Sequence, residues 1–170
     1  TASYIPFANM GIKTVPFSII KITDSDSRIM YQNTIRKQSI MSRQNAAIIT
    51  DMLKAVVLEG TGKNALVIQK DIAGKTGTTN NLFDAWFLGY TPRYTTGVWV
   101  GLDQEAPLGR GENGSRTASP IWLEFMKNAL EGKPVRTFNV PEGIIFAKID
   151  AKTGLLPIEE SEKTIFEPFP

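Results

Sequence analysis

Three β-like segments in close succession constrain this chain most: residues 66–78, 83–90 and 95–102. Thr91-Pro92-Arg93-Tyr94 alone joins the last two. A link that short cannot carry a crossover, so they are expected to form an antiparallel hairpin. On the middle segment Phe83, Ala85, Phe87 and Gly89 face one way; Asp84, Trp86, Leu88 and Tyr90 face the other. Both sets are largely apolar, the pattern of a central strand covered on both sides. The reading is an α+β domain, an antiparallel sheet flanked by helices.

The cover has to come from helices. Ile48, Ile49, Met52, Leu53, Val56 and Val57 recur at helical spacing over 45–58, and Gly60 ends the run. A second helix is expected from Ser119-Pro120, with serine as N-cap and proline in the first position. Its expected buried stripe is Ile121, Trp122, Phe125, Met126, Ala129 and Leu130, with Gly132 as the stop. Residues 2–10 read as the last turns of a helix closed by Gly11, with Pro6 awkward there unless more helix precedes it. Runs 15–22 and 28–32 bracket the turn cluster Asp24-Ser25-Asp26-Ser27 and suggest a hairpin. Residues 104–117 read as a polar, Gly-rich loop, 144–149 as a further strand, and the acidic, proline-containing end as extended. The three tryptophans are read as core.

Composition narrows the chemistry. The 170 residues contain no cysteine and no histidine, which removes disulfides, thiolate zinc sites and Ser-His-Asp or Cys-His catalysis. A nucleophile here would need a lysine or carboxylate as its base. The net charge of +2 gives no argument for nucleic acid or an anionic membrane. No apolar run approaches the roughly 20 residues of a membrane span.

The chemistry-bearing stretch is Gly74-Lys75-Thr76-Gly77-Thr78-Thr79. A phosphate-binding loop would need glycine where Gln69 stands and a helix directly after Thr76, but a β-like run follows. A Gly-punctuated strand end without chemistry is the other plain reading of the triplet alone. As a site, a strand edge offers free backbone groups with which a peptide can pair. Gly77 admits close approach of a backbone, and lysine with threonine hydroxyls suits a carboxylate. A backbone N–H at the strand end suits an oxyanion.

Ala73-Gly74-Lys75-Thr76-Gly77-Thr78-Thr79-Asn80, with Asp84-Ala85-Trp86-Phe87 and Gly89-Tyr90-Thr91-Pro92, resembles the third-motif region of class A penicillin-binding proteins. Gly97-Val98-Trp99-Val100-Gly101, Ser119-Pro120-Ile121-Trp122, Phe7-Ala8-Asn9 with Gly11, and Gly60-Thr61-Gly62 extend the resemblance over roughly residues 1–126. It implies the penicillin-binding transpeptidase (β-lactamase-like) fold, incomplete in this chain. The implied activity is a peptidoglycan D,D-transpeptidase that cross-links stem peptides through an acyl-serine and is acylated by β-lactams. Lys75 and Thr78 would be catalytic. Lys75, Thr76, Gly77, Thr78 and Thr79 would bind substrate, with the Thr78 N–H as half of the oxyanion hole. No cofactor or metal is implied. The expected partners are the stem peptide, β-lactams and the upstream half of the same domain, on the extracytoplasmic face of a membrane to which the parent protein is anchored. The expected division is 1–132 for the transpeptidase part and 133–170 for a C-terminal extension.

The nucleophile's Ser-x-x-Lys is not found in usable form. Ser18-Ile19-Ile20-Lys21 matches by letters, but it reads as a strand, where residues three apart point to opposite faces. Tyr31-Gln32-Asn33 and Thr79-Asn80-Asn81 echo the family's second motif out of place. Asn113-Gly114-Ser115 reads as a turn rather than a glycosylation site, and Arg110 and Arg116 as solvated loop residues. The expectation is half of an enzyme, inactive alone; the alternative is a non-catalytic module that holds a peptide on the same strand edge.

Overall fold

A computed structural model describes all 170 residues. Its centre is a three-stranded antiparallel sheet of β5 (Ala73–Thr78), β6 (Ala85–Tyr90) and β7 (Thr95–Val100), with β6 in the middle. The register pairs Gly77 with Trp86 and Trp86 with Trp99. Helix α3 (Ser119–Leu130) covers the face that carries Ala85, Phe87 and Gly89. There Trp122 stacks edge-on against Phe87 at 4.9 Å and donates its indole N–H to the Thr96 carbonyl at 3.1 Å. Gly89 makes this contact possible, because a Cβ there would meet the Trp122 ring at 2.6 Å. Val57, Ile72, Ala118 and Met126 complete this core.

The opposite face is covered at one end by α2 (Arg43–Leu58) and the N-terminal turns, Ala2–Tyr4 and α1 (Ile5–Ala8). Tyr90 is fully buried there, edge-on to Tyr4 at 6.4 Å and to Phe138 at 5.5 Å. The other end of that face is open. Trp86 and Trp99 lie 6.3 Å apart and are 38% and 48% exposed, so only Trp122 of the three tryptophans is core. Trp99 donates to Asp84 Oδ1 at 2.7 Å.

Most of each expected stripe is buried or half-buried, with three exceptions. In α2 the buried residues are Ala46, Thr50 and Val57, whereas Met52 is 63% exposed. In α3, Ile121 and Phe125 are exposed, and Ser119, Trp122, Met126 and Leu130 are buried. Ser119 is not the N-cap: a π-turn over Gly114–Ala118 precedes it, capped by Asn113, whose side chain accepts from Arg116 N–H at 3.0 Å. Asn113 is thus a turn-forming residue, as expected. Pro6 is accommodated because α1 starts only at Ile5, so the ring occupies a first-turn position with no N–H to satisfy. Gly11, with φ +86°, ends that turn.

The hairpin exists but is shorter and differently framed. β2 (Lys21–Thr23) pairs with β3 (Ile29–Gln32), while β1 (Ile12–Thr14) pairs with β4 (Lys37–Ser39). Residues 15–20 are irregular, and 66–68 belong to a 3-10 helix, Lys63–Ile68, that Gln69 ends in the left-handed conformation. After α3 the chain runs back over the sheet. Phe138 N–H reaches Asp71 Oδ2 at 2.9 Å, and Gln44 reaches the Glu142 carbonyl at 2.9 Å. Asp71 also pairs with Lys54 of α2 at 2.8 Å. β8 (Ile145–Asp150) then pairs with β9 (Thr164–Phe169), a strand within the stretch read as merely extended. No helix is long and apolar enough to cross a membrane.

Candidate functional site

The candidate site is the outer edge of β5, the end strand of the central sheet, to which no further strand pairs. Thr79 N–H donates to the Asp84 carbonyl at 3.1 Å. Backbone direction alternates along a strand. Lys75 and Gly77 therefore direct their N–H and C=O groups toward β6, and Thr76 and Thr78 direct theirs outward. Two N–H donors and the Thr78 carbonyl stand ready for an added strand, and the Thr76 carbonyl is met by the Lys75 side chain. Lys75 and Thr78 are exposed; Thr76 and Gly77 are half-buried.

The side chains divide by face. Lys75 and Gly77 share the face of Trp86 and Leu88, and the Lys75 ammonium folds back onto the Thr76 carbonyl at 2.9 Å. Thr76 and Thr78 share the α3 face with Ala85 and Phe87. Thr76 Oγ1 lies 2.6 Å from Thr61 Oγ1, which comes from the turn after α2. Thr78 Oγ1 accepts the Gly114 N–H at 3.1 Å. Thr79 differs from the other expected site residues. Its Oγ1 accepts the N–H groups of Phe83 and Asp84 at 3.0 and 2.8 Å, so it holds the turn from β5 into β6.

The site thus has walls that the triplet did not reveal. One is Gly60-Thr61-Gly62; the other is the π-turn, tied to the 3-10 helix by Asn64, which donates to the Ser115 carbonyl at 3.2 Å. Thr61 carried only a resemblance in sequence, with no spacing rule linking it to Thr76. Arg116 is exposed, 3.9 Å from Glu112. Ser18 sits in an irregular bend and Lys21 in β2, so no helix brings them together as a nucleophile and its base. A cavity of about 630 Å³ lies away from this edge, between Phe7, Thr50, Asp51, Arg136 and Phe146. Its Thr50 hydroxyl is committed to the Phe7 carbonyl and Tyr90, and its Lys54 to Asp71, so both serve the packing of α2.

An antiparallel sheet with a helix on one face and a Lys-Thr-Gly strand at its open edge is the arrangement of a penicillin-binding-protein transpeptidase domain. The family model "Penicillin binding protein transpeptidase domain" matches residues 2–127. Penicillin-binding protein 1A of Aquifex aeolicus is 41% identical over 95% of this chain and 22% of its own length. That of Pseudomonas aeruginosa is 44% identical over 78% of the chain and 16% of its own. Among solved structures, penicillin-binding protein 1A from Haemophilus influenzae superposes with a TM-score of 0.88 at 27% identity. That superposition covers 98% of this chain and 31% of the other. The chain belongs to the penicillin-binding protein transpeptidase family, on its class A branch, and spans less than a quarter of the length of these curated relatives.

Proposed function

We propose that this chain supplies the third-motif half of the active site of a peptidoglycan D,D-transpeptidase. In this reading an acyl-serine intermediate cross-links stem peptides, and β-lactams acylate the same serine. The observation that carries the reading is the open edge of β5, with the outward backbone groups of Thr76 and Thr78 beside two hydroxyls on one face.

The substrate's peptide lies along this edge as an added strand. Gly77 presents no side chain to it. Thr76 and Thr78 donate their hydroxyls to the carboxylate of the D-Ala-D-Ala end or of the antibiotic, and Thr79 holds the turn that fixes the strand's end. The Thr78 N–H, pointing outward, polarises the scissile carbonyl. Lys75, folded onto Thr76 here, turns toward the nucleophile when the Ser-x-x-Lys and second-motif groups are beside it. Its ammonium then adds positive potential for the anionic substrate. Those groups lie outside this chain, on an upstream half of the domain. The transpeptidase part is residues 1–132, followed by a C-terminal extension, and the parent protein is anchored with this domain on the extracytoplasmic side of the membrane.

Intact-mass analysis after incubation with penicillin tests this reading. The full-length protein carrying this sequence gains one covalent adduct, and the isolated chain gains none. An adduct on Ser18 or any other serine of this chain overturns the half-site. Binding of stem peptide by the full-length protein without any adduct would favour the non-catalytic peptide-binding module.

A further inference from the structure

Both hydroxyls offered to a carboxylate are backed by a second group. The Gly114 N–H points at Thr78 Oγ1 from behind at 3.1 Å and can only donate. One lone pair of Thr78 is thereby occupied, and its O–H is left for something outside the strand. Thr76 is backed by Thr61, with the two oxygens 2.6 Å apart. One of the pair's two hydroxyl protons lies between the oxygens, and either residue can be its donor.

From this arrangement we infer that Thr61 is a positioning residue for carboxylate recognition, a step that rests on the reading of β5 as the carboxylate-binding edge. An anion at the edge accepts from Thr76, and Thr76 Oγ1 then accepts from Thr61. The result is a donor chain running from Thr61 through Thr76 to the carboxylate, in which each bond polarises the next. Without a hydroxyl at position 61, the Thr76 oxygen loses its backing donor and its rotor loses a fixed direction. Thr61 does not touch the substrate; it acts through Thr76. The turn that carries it is held in place by α2, because Gly60 and Gly62 N–H both bond to the Val56 carbonyl, at 3.1 and 3.0 Å.

The experiment measures acylation efficiency of the full-length protein with benzylpenicillin and with its methyl ester, which lacks the anionic carboxylate. Thr61→Val slows acylation by the acid about fivefold to tenfold, the scale of one lost hydrogen bond. It leaves the ester's slower rate and the thermal midpoint unchanged, and Thr61→Ser restores the acid's rate to within about twofold. Equal loss with acid and ester, or no loss with either, overturns the positioning role. Thr78→Val in the same assay separates the two layers. If it slows the acid while Thr61→Val does not, only the role of Thr61 falls. If Thr78→Val also leaves the acid unaffected, the carboxylate edge falls and this inference with it.

Discussion

The hydroxyls of Thr50 and Tyr90 lie 3.1 Å apart and join α2 to the last residue of β6. Thr50 also donates to the Phe7 carbonyl at 3.3 Å, which leaves Tyr90 as the donor to Thr50. The chain from Tyr90 through Thr50 to Phe7 therefore ties the sheet, α2 and α1 together.

Burial pushes the Tyr90 phenol up to about 12. From pH 10 to 12 the unfolded chain loses this proton while the folded chain keeps it, so stability falls through that window and levels off above it. The expected loss is about 2–3 kcal/mol, from two pH units at 1.36 kcal/mol each. Tyr90→Phe removes this part of the alkaline loss and costs about 1 kcal/mol at neutral pH. Denaturant melts of both forms at pH 8 and pH 11.5 check it; an identical alkaline loss in Tyr90→Phe refutes it.

Thr78→Val in the full-length protein slows penicillin acylation by about 1–3 kcal/mol of barrier, the scale of a hydrogen bond to a charged group. It also strips the buried Gly114 N–H of its acceptor, so the thermal midpoint drops as well. Thr78→Ser keeps both functions. Stopped-flow acylation with parallel melting curves separates the two effects.

Gly114→Ala places a methyl group against the carbonyl oxygens of Trp86 and Gly77, inside the contact distance of any real side chain. Neither oxygen can move without breaking the β5–β6 ladder. A destabilisation of about 2–4 kcal/mol follows, in the range of severe overpacking. A melting point within one degree of wild type would contradict it.

Asp71 holds Lys54 with one oxygen and the Phe138 N–H with the other. Asp71→Asn weakens both, and the segment around residues 134–142 opens before the sheet does. Hydrogen exchange at the Phe138 amide should quicken at least about tenfold while amides of β6 hold their protection.

Glu167 titrates above the usual glutamate range, through burial first and then the charges of Asp51 and Glu59. A carboxylate raised in the folded state destabilises once it ionises there. Glu167→Gln should therefore raise the melting point at pH 7. The gain disappears below the ordinary glutamate range, where both states are protonated, and shrinks in high salt. A gain that grows on acidification would reverse this sign.

The strand logic of the site was legible because it is local. Alternation along 83–90 identifies the central strand, and the Lys75-Thr76-Gly77 triplet follows from neighbours in sequence. What escaped depends on contacts across the chain. Trp86 and Trp99 share an apolar pattern with Trp122, but only Trp122 has a helix over it, and alternation cannot say which end of a face is covered. Met52 and Phe125 fit a helical stripe by spacing, yet they are exposed while Thr50 and Ser119 are buried, Thr50 being held inward by Phe7 and Tyr90. Ser119-Pro120 has the letters of a helix start, and the π-turn before it overrides them. Thr61 meets Thr76 only through the course of the 3-10 helix between α2 and β5, which 66–68, apolar throughout and β-branched at Val67 and Ile68, disguised as strand.

The open edge of β5 also acts as a ruler with two-residue graduations. A peptide paired to it can slide by about 7 Å, two residues of strand, and present the same side chains to the same face. A shift of one residue inverts every side chain and, in the proposed reading, brings the wrong bond to the Thr78 N–H. A partner anchored at its terminus therefore has its reacting bond located by counting, and discrimination at this edge is a matter of phase before it is one of shape.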